Sequence, residues 1–304
     1  MRRRVLVLVS IPVLLGLLTM GPAAAESDDG QPPLGRPVYL ALGDSVAAGV
    51  GASDLAVTGY VPVLYDLLRD EPSCQLLGQP GCRSLALDNL AVGGATSSTL
   101  LTGQLPAAED ELRAHNGDRN PRNDVLVVTI DIGGNDVFSV VPSCTAGPTP
   151  QCLGLVQARL VSFEANFSQI LSRLRAAAGP DTVIVAMTYY NPLGSCFRAG
   201  LAPLADVVLE GGPGLEGLND RIRRISAANG VLVADTYGLL GPGDLVGGTD
   251  CLHPNDAGHQ KIAEAFVAVL AGRTPRRRHK AGRLRRYCGR FSTRSRNGRH
   301  RRVG

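Results

Sequence analysis

The stretch from Val38 to Ser45, VYLALGDS, decides the fold assignment because it joins a continuous apolar run to a polar turn. An uninterrupted apolar run of this kind is typical of a strand that is buried on both faces of a parallel sheet. Gly43 and Asp44 end the run and place Ser45 just beyond it. Ligands of open α/β sheets bind at the carboxyl ends of the strands, so this turn is a candidate site.

Similar apolar runs recur along the chain and alternate with amphipathic stretches, whose apolar residues are spaced by three and four positions. Strands are predicted at Val38–Leu42, Leu85–Leu90, Val125–Asp131, Val183–Tyr189 and Val231–Asp235. Helices are predicted at Tyr60–Arg69, Thr102–Ala114, Leu155–Ala178, Leu215–Ala228 and Asp256–Ala271. This alternation indicates parallel strands joined by crossover helices in a three-layer α/β/α domain.

The N-terminal segment has the pattern of a secretory signal peptide. Three arginines precede an uncharged run from Val5 to Leu18, and small residues at Ala23 and Ala25 fit cleavage after Ala25. An uncleaved membrane anchor is the alternative, but it needs roughly 20 apolar residues to span the hydrocarbon layer. We therefore predict a signal peptide at 1–25, a linker at 26–36, a single folded domain at 37–272 and a secreted mature protein.

The C-terminal segment 273–304 carries 14 arginine and lysine residues and no acidic residue. The span 26–272 carries 14 basic residues against 27 acidic ones, so the two parts have opposite charge. A basic segment poor in apolar residues is expected to be disordered. It could contact an anionic surface, or it could be a solvated appendage with no binding role.

Seven cysteines are present, and export favours their oxidation. A zinc site is the alternative, but the chain has no Cys-x-x-Cys pattern, so we expect no metal. Cys288 lies in the basic tail and is the odd thiol, either free or intermolecular. The sequence leaves the connectivity open, and spacing suggests the disulfides Cys74–Cys82, Cys144–Cys152 and Cys196–Cys251.

A serine hydroxyl needs a base within hydrogen-bond reach before it can act as a nucleophile. His253 and His259 follow the fifth predicted strand, and His253 has an aspartate, Asp250, three residues before it. That carboxylate can turn back to one imidazole nitrogen and fix the tautomer. His259 falls on the following helix and is interpreted as a surface or packing residue. The remaining histidines lie in the tail or at the end of a polar stretch: His115, His279 and His300.

Attack on an ester carbonyl produces an oxyanion, which must meet hydrogen-bond donors that are already in place. The second strand runs into Asn89–Thr96, where adjacent glycines allow close approach of backbone N–H groups. The third strand runs into Gly133–Asp136, which offers the amide of Asn135. Either segment could instead be a plain loop, with Asp136 as a cap.

The motif blocks Gly43-Asp44-Ser45, Asn89–Thr96, Gly133–Asp136 and Asp250-x-x-His253-Pro254 resemble, in this order, those of the SGNH/GDSL hydrolase family. The resemblance implies a five-stranded parallel sheet of flavodoxin-like order 2-1-3-4-5 and no metal or organic cofactor. It implies Ser45 as nucleophile, His253 as general base and then acid, and Asp250 as the group that orients it. It also implies an oxyanion hole formed by Ser45, Gly94 and Asn135. Val46 departs from the Leu or Tyr of many members, which we expect to affect packing only.

Within the family, the first block and the six paired cysteines resemble the exported bacterial lipase, esterase and phospholipase branch. The implied substrate is a lipid or small-molecule carboxylic ester, and we expect a monomer. Deacetylation of a carbohydrate is an alternative, because the same site would cleave an acetyl ester.

Two other classes of function compete with this interpretation. Gly212–Gly217 matches the dinucleotide-binding pattern and follows the apolar run Val207–Leu209, with Asp235 placed like a ribose-binding acid. However, Pro213 removes an N–H from the phosphate-binding turn, and an exported protein would not meet NAD at useful concentration. The basic tail suggests the other alternative, a non-catalytic surface-binding protein.

Overall fold

The computed structural model describes residues 35–70, 77, 84–118, 120–144, 147–196 and 198–272. The predicted signal peptide, most of the predicted linker and the basic tail lie outside these residues. So do Cys288 and the predicted Cys74–Cys82 pair. Their assignments remain predictions.

Five parallel strands form one sheet in the order β2-β1-β3-β4-β5, which confirms the predicted fold class. The central strand β1 pairs with β2 on one side and with β3 on the other. Every residue of β1, β3 and β4 is buried. The strands are β1 Val38–Gly43, β2 Ala86–Asn89, β3 Val125–Asp131, β4 Val183–Met187 and β5 Leu232–Ala234.

Helices cover both faces of the sheet and complete the three layers. On one face, α1 (Tyr60–Arg69) packs against the C-terminal helix α8 (Asp256–Ala271). On the other face, the long α5 (Pro150–Ala178) packs against its neighbours. These neighbours are α2 (Ser97–Thr102), α3 (Gln104–Asn116), α4 (Gly134–Phe138) and α7 (Leu218–Ala228). None of the helices in these described ranges is both long and apolar enough to cross a membrane.

Helix boundaries differ from the prediction where a cap decides them. Periodicity predicted a helix from Leu155, but α5 begins at Pro150. The Thr149 side chain accepts a hydrogen bond from the Cys152 N–H, and proline suits the first helical turn. Asn255 caps α8 in the same way by accepting from Ala257 and Gly258. Here the predicted start at Asp256 is confirmed.

Several elements were not predicted. The run Val207–Leu209 lies in a helix, α6 (Ala202–Glu210), and the short helices α2 and α4 were absent from the prediction. A two-stranded antiparallel hairpin of β6 (Leu245–Gly247) and β7 (Asp250–Pro254) lies outside the main sheet. The edge strands β2 and β5 are also only partly buried, so coverage on both faces applies to the inner strands alone.

Candidate active site

The turn after β1 places Ser45 at the carboxyl edge of the sheet, half-buried. Gly43, the last residue of β1, has a φ of 156° and lies against Asp131 at the end of β3. A Cβ atom at position 43 would lie 1.7 Å from the Asp131 Oδ1 atom, so only glycine fits. This close approach holds the nucleophile turn against the neighbouring strand.

A buried amide also holds this turn. Gln104, at the start of α3, accepts the Gly43 N–H at 2.9 Å and donates to the Gly43 carbonyl at 2.8 Å. Both main-chain groups of Gly43 are therefore satisfied by one side chain where the strand ends. No sequence motif predicts this role, because a single glutamine belongs to no recognisable pattern.

His253 links Ser45 to Asp250. Its Nε2 atom lies 2.9 Å from the Ser45 Oγ atom, and its Nδ1 atom lies 2.8 Å from Asp250 Oδ2. A carboxylate can only accept, so Nδ1 carries the proton and Nε2 is free to accept from the serine hydroxyl. The structure thus brings Ser45 into contact with His253, which lies 208 positions later in the sequence.

The Asp250 carboxylate is held in its charged form. Partial burial opposes ionisation, but hydrogen bonds from the Leu252 N–H, the His253 ring and the His253 N–H outweigh it and lower the pKa of Asp250. A charged Asp250 can stabilise an imidazolium on His253. The arrangement is therefore suited to moving a proton off Ser45.

His253 lies on the small β6–β7 hairpin, which is fixed to the rest of the domain. A disulfide joins Cys251 to Cys196, and the Tyr190 hydroxyl donates to the Leu252 carbonyl at 2.8 Å. The Asn255 amide donates to the carbonyls of Gly243 and Leu245. These contacts fix the position of His253, although its hairpin does not belong to the main sheet.

The two segments that were predicted to supply oxyanion donors follow β2 and β3, the strands on either side of β1. Gly94 has a φ of 79°, and a Cβ atom there would meet nothing within 4 Å, so its backbone is open to solvent. Asn135 donates one amide hydrogen to the Ala95 carbonyl at 2.9 Å, which leaves the second hydrogen of that group for a ligand. Asn135 and Ser45 line the same small cavity.

Asp136 holds these two donor segments together. Its carboxylate accepts the Ser97 N–H at 2.8 Å and the Ser97 hydroxyl at 2.6 Å, at the first residue of α2. Burial raises the pKa of Asp136 despite these bonds. Asp136 was predicted to cap the segment that follows it, but it lies inside α4 and instead binds the first residue of α2, a helix whose N-cap is Thr96.

Two buried carboxyl groups lie beneath the nucleophile turn. Asp44 accepts the Val46 N–H at 2.9 Å and the Tyr189 hydroxyl at 2.6 Å, and burial raises its pKa to about 6. Burial, and then the nearby Asp44, raise the pKa of Asp131 well above its usual range. Its Oδ1 accepts from Tyr60, whereas Oδ2 has no partner within the described residues. Burial and the neighbouring Asp44 charge therefore both favour the neutral form of the Asp131 carboxyl group.

A cleft of about 380 Å³ opens beside His253 and provides space for a substrate. Phe138, Leu193 and Leu252 give it apolar walls, and Arg198 and Thr249 add polar groups. Phe138 and Leu252 also line the smaller cavity at Ser45, so the two spaces adjoin. An apolar chain bound in the cleft would therefore reach the serine.

The two other histidines within the described ranges, His259 and His115, take structural positions. His259 is fully buried, and its Nδ1 accepts the Tyr60 N–H while Nε2 donates to the Val50 carbonyl. This makes it a packing residue, and burial lowers its pKa. His115 is also buried and lies between Glu111 and the Asn123 carbonyl.

Neither alternative binding site finds support in the described part of the chain. The glycines at 212–217 follow the helix α6 rather than a strand and form a turn before α7, so the dinucleotide interpretation is wrong. No group of three or more His, Cys, Asp or Glu residues within the described ranges could hold a metal ion.

The strand-end rule could have identified Tyr189, which lies two residues after the end of β4. We predicted this residue as the last of the strand, although the strand ends at Met187. Its hydroxyl reaches Asp44, and its ring lies 2.8 Å from where a Cβ atom on Gly134 would be. Tyr189 therefore joins the nucleophile turn to the Asn135 segment, a role that depends on tertiary contacts.

A parallel α/β/α sheet with a serine, a histidine and an aspartate joined by hydrogen bonds near its carboxyl edge is an arrangement found in serine hydrolases. A sequence model of the GDSL-like Lipase/Acylhydrolase family matches residues 41–261, and the chain belongs to this family. It is a carboxylic ester hydrolase. A comparison with curated protein sequences finds no match.

Solved structures share the fold at low sequence identity. The lipase Lip_vut3 from a goat rumen metagenome is 22% identical with a TM-score of 0.57, over 77% of this chain and 97% of that one. Axe2, an acetylxylan esterase from Geobacillus stearothermophilus, is 20% identical with a TM-score of 0.51, over 79% and 97% of the two chains. These likenesses show the fold alone.

Proposed function

We propose that the chain is a secreted serine ester hydrolase of the lipase or esterase type that acts through an acyl-enzyme on Ser45. The observation that carries this proposal is the pair of hydrogen bonds of 2.9 Å and 2.8 Å from Ser45 through His253 to Asp250. Export is supported by the N-terminal pattern and by the disulfides Cys144–Cys152 and Cys196–Cys251, which are typical of oxidising compartments.

In the first half-reaction, Ser45 Oγ forms a bond to the ester carbonyl carbon while its proton passes to His253 Nε2. The carbonyl oxygen becomes an oxyanion, which accepts hydrogen bonds from the Ser45 N–H, the Gly94 N–H and the Asn135 amide. The intermediate collapses, the bond to the alcohol oxygen breaks, and the alcohol leaves with the proton of His253.

In the second half-reaction, a water oxygen attacks the acyl-enzyme as its proton passes to His253. The bond between Ser45 Oγ and the acyl carbon then breaks, and Oγ recovers its proton from the imidazolium. The products are a carboxylic acid, an alcohol and the free enzyme. Asp250 stays ionised throughout and stabilises each imidazolium.

The cleft beside His253 favours a hydrophobic acyl ester over an acetylated sugar. Phe138, Leu193 and Leu252 present apolar surface where a longer acyl chain would lie. An acetyl group would leave this surface unfilled, whereas each buried methylene of a longer chain adds about 0.8 kcal/mol. Esters of longer acyl chains should therefore be hydrolysed with higher kcat/KM until the cleft is filled.

A panel of esters with one leaving group and acyl chains of increasing length tests the proposal, with an acetylated xylooligosaccharide as a further substrate. Ser45→Ala should lower kcat by a factor of about 10⁴ or more. Ser98→Ala, on the exposed surface of α2, is the matched control and should retain full activity. Full activity of Ser45→Ala would remove this residue from the mechanism, and hydrolysis of the acetylated sugar alone would favour the deacetylase alternative.

A further inference from the structure

Large apolar side chains are exposed on segments around the Ser45 site. Across the described ranges, eight such side chains are exposed, and six of them lie on loops that follow strands of the sheet or on the β6–β7 hairpin. One of the six, Leu239, follows the edge strand β5, and the other five lie on the loops after β1 and β2 and on the hairpin. We call these five residues the apolar rim: Leu55, Val57, Val92, Val246 and Leu252. Leu55, Val57 and Val92 are each more than half exposed, at 53%, 58% and 55%. Exposed apolar groups gathered around a cleft often mark a binding surface.

Contacts place part of the rim directly beside the reacting groups. Leu252 lines the cavity that contains Ser45. The Val92 N–H donates to the carbonyl of Gly43, two residues before the nucleophile. A Cβ atom on Gly51 would lie 3.0 Å from Val246 and 2.9 Å from the Cβ atom of His253. These three rim residues therefore lie on segments that contact the segments of Ser45 and His253.

The loop that carries Leu55 and Val57 is fixed by hydrogen bonds. Ser53 donates its N–H and its hydroxyl to Asp256, the first residue of α8, and Thr58 donates its hydroxyl to the same carboxylate. Asp54 accepts from three main-chain N–H groups within the loop. The exposure of Leu55 and Val57 is thus a property of an ordered loop whose backbone is satisfied.

The charged residues near the apolar rim indicate which kind of surface it can bind. The segments 45–59, 91–96 and 245–256 contain the acidic residues Asp54, Asp250 and Asp256 and no lysine or arginine. An anionic surface would be repelled by these groups. A lipid surface without net charge would instead bury the apolar side chains at no electrostatic cost.

We propose that the apolar rim docks on a lipid surface of no net charge and presents the cleft to esters within that surface. The proposal rests on the proposed function, because docking serves ester hydrolysis at Ser45, whose cavity is lined by the rim residue Leu252. Docking of this kind needs no new contact at the reacting atoms. It concentrates the enzyme where insoluble substrate lies.

Binding of the full chain to phosphatidylcholine vesicles tests the proposal, with Ser45→Ala in every protein to prevent hydrolysis. Moderate salt suppresses contacts made through the basic tail. The added pair Leu55→Ser and Val57→Ser should weaken vesicle binding roughly tenfold, because two apolar groups are lost from the contact. The matched control is the pair Leu155→Ser and Val161→Ser, which removes an exposed leucine and valine from α5 and should bind within about twofold of the parent.

The same two pairs are then made with Ser45 intact and assayed on a dissolved short-chain ester and on an emulsified long-chain ester. The rim pair should keep the rate on the dissolved ester and lose roughly tenfold on the emulsion at low substrate. Equal vesicle binding by rim and control pairs, with activity on dissolved ester intact, would overturn the docking proposal alone. Absence of ester hydrolysis by the wild-type chain on every substrate would overturn the proposed function.

Discussion

The hydroxyl of Tyr189 donates a 2.6 Å hydrogen bond to the carboxylate of Asp44, the residue that precedes the nucleophile. Both side chains are buried, and they belong to segments separated by 145 positions. This bond supports the turn of Ser45 from below, because Asp44 also accepts the Val46 N–H on the far side of that turn.

Tyr189→Phe should destabilise the fold by about 1–3 kcal/mol, because it leaves a buried carboxylate without one of its donors. The free energy of unfolding in urea measures the effect. Tyr237→Phe removes a hydroxyl that bonds Asp206 at 2.8 Å in a partly exposed position, and this control should cost less than about 1 kcal/mol. Equal losses in the two variants would contradict the role assigned to Tyr189.

The raised pKa of Asp44 predicts a specific pH dependence of stability. Its pKa rises from 3.8 to about 6 on folding, so the folded state binds the proton more tightly than the unfolded state. The contribution of Asp44 is therefore favourable below about pH 4 and is lost as pH rises towards about 6. The side chain of Asp44→Asn cannot titrate. As pH rises from about 4 to about 6, the unfolding free energy of this variant should therefore fall less than that of the wild type, by on the order of 2 kcal/mol.

Parallel unfolding profiles of the wild type and Asp44→Asn between pH 4 and 7 provide the measurement. Comparing the two proteins removes the contributions of other carboxyl groups, such as Asp244 and Asp256, whose pKa values are lowered. If the difference in unfolding free energy stays constant with pH, Asp44 does not titrate as its burial implies.

Asp250→Asn should lower kcat by a factor of about 10³–10⁴ while leaving the fold intact. An amide at this position can donate to His253 Nδ1, which would place the imidazole proton on Nε2 and prevent it from accepting from Ser45. The ratio of kcat values against wild type measures the effect. Asp220→Asn, which removes a charge that pairs with Arg223 on α7, should retain kcat and serves as the control.

Removal of the two disulfides should have different effects on the free energy of unfolding and on kcat. Replacing Cys196 and Cys251 by serine opens a loop of 55 residues and should cost about 4 kcal/mol, and kcat should fall because Cys251 lies between Asp250 and His253. Replacing Cys144 and Cys152 opens a loop of eight residues and should cost about 2.5 kcal/mol with kcat retained. Urea unfolding and kcat on a dissolved ester distinguish these effects. An unchanged kcat in the first variant would show that other contacts alone position His253.

The inner strands were predictable because burial on both faces demands continuous apolar runs, as in Val125–Asp131, whose predicted and observed bounds agree. Helices with a clear apolar stripe, such as Tyr60–Arg69, were also predicted with the observed bounds. Short helices and the β6–β7 hairpin were missed. Segments of three to six residues are too short to show a period, and their structure depends on contacts with distant parts of the chain.

The sequence by itself determined which residue types stand at the carboxyl ends of the strands, and so it identified Ser45, Asn135 and His253 as candidates. This is possible because strand ends and tight turns are local features of the chain. Only the tertiary structure decided that His253 meets Ser45 from a separate hairpin, that Gln104 and Tyr189 support the nucleophile turn, and that His259 is buried. These relationships are made by packing between segments far apart in the sequence, and no local pattern encodes a distance of that kind.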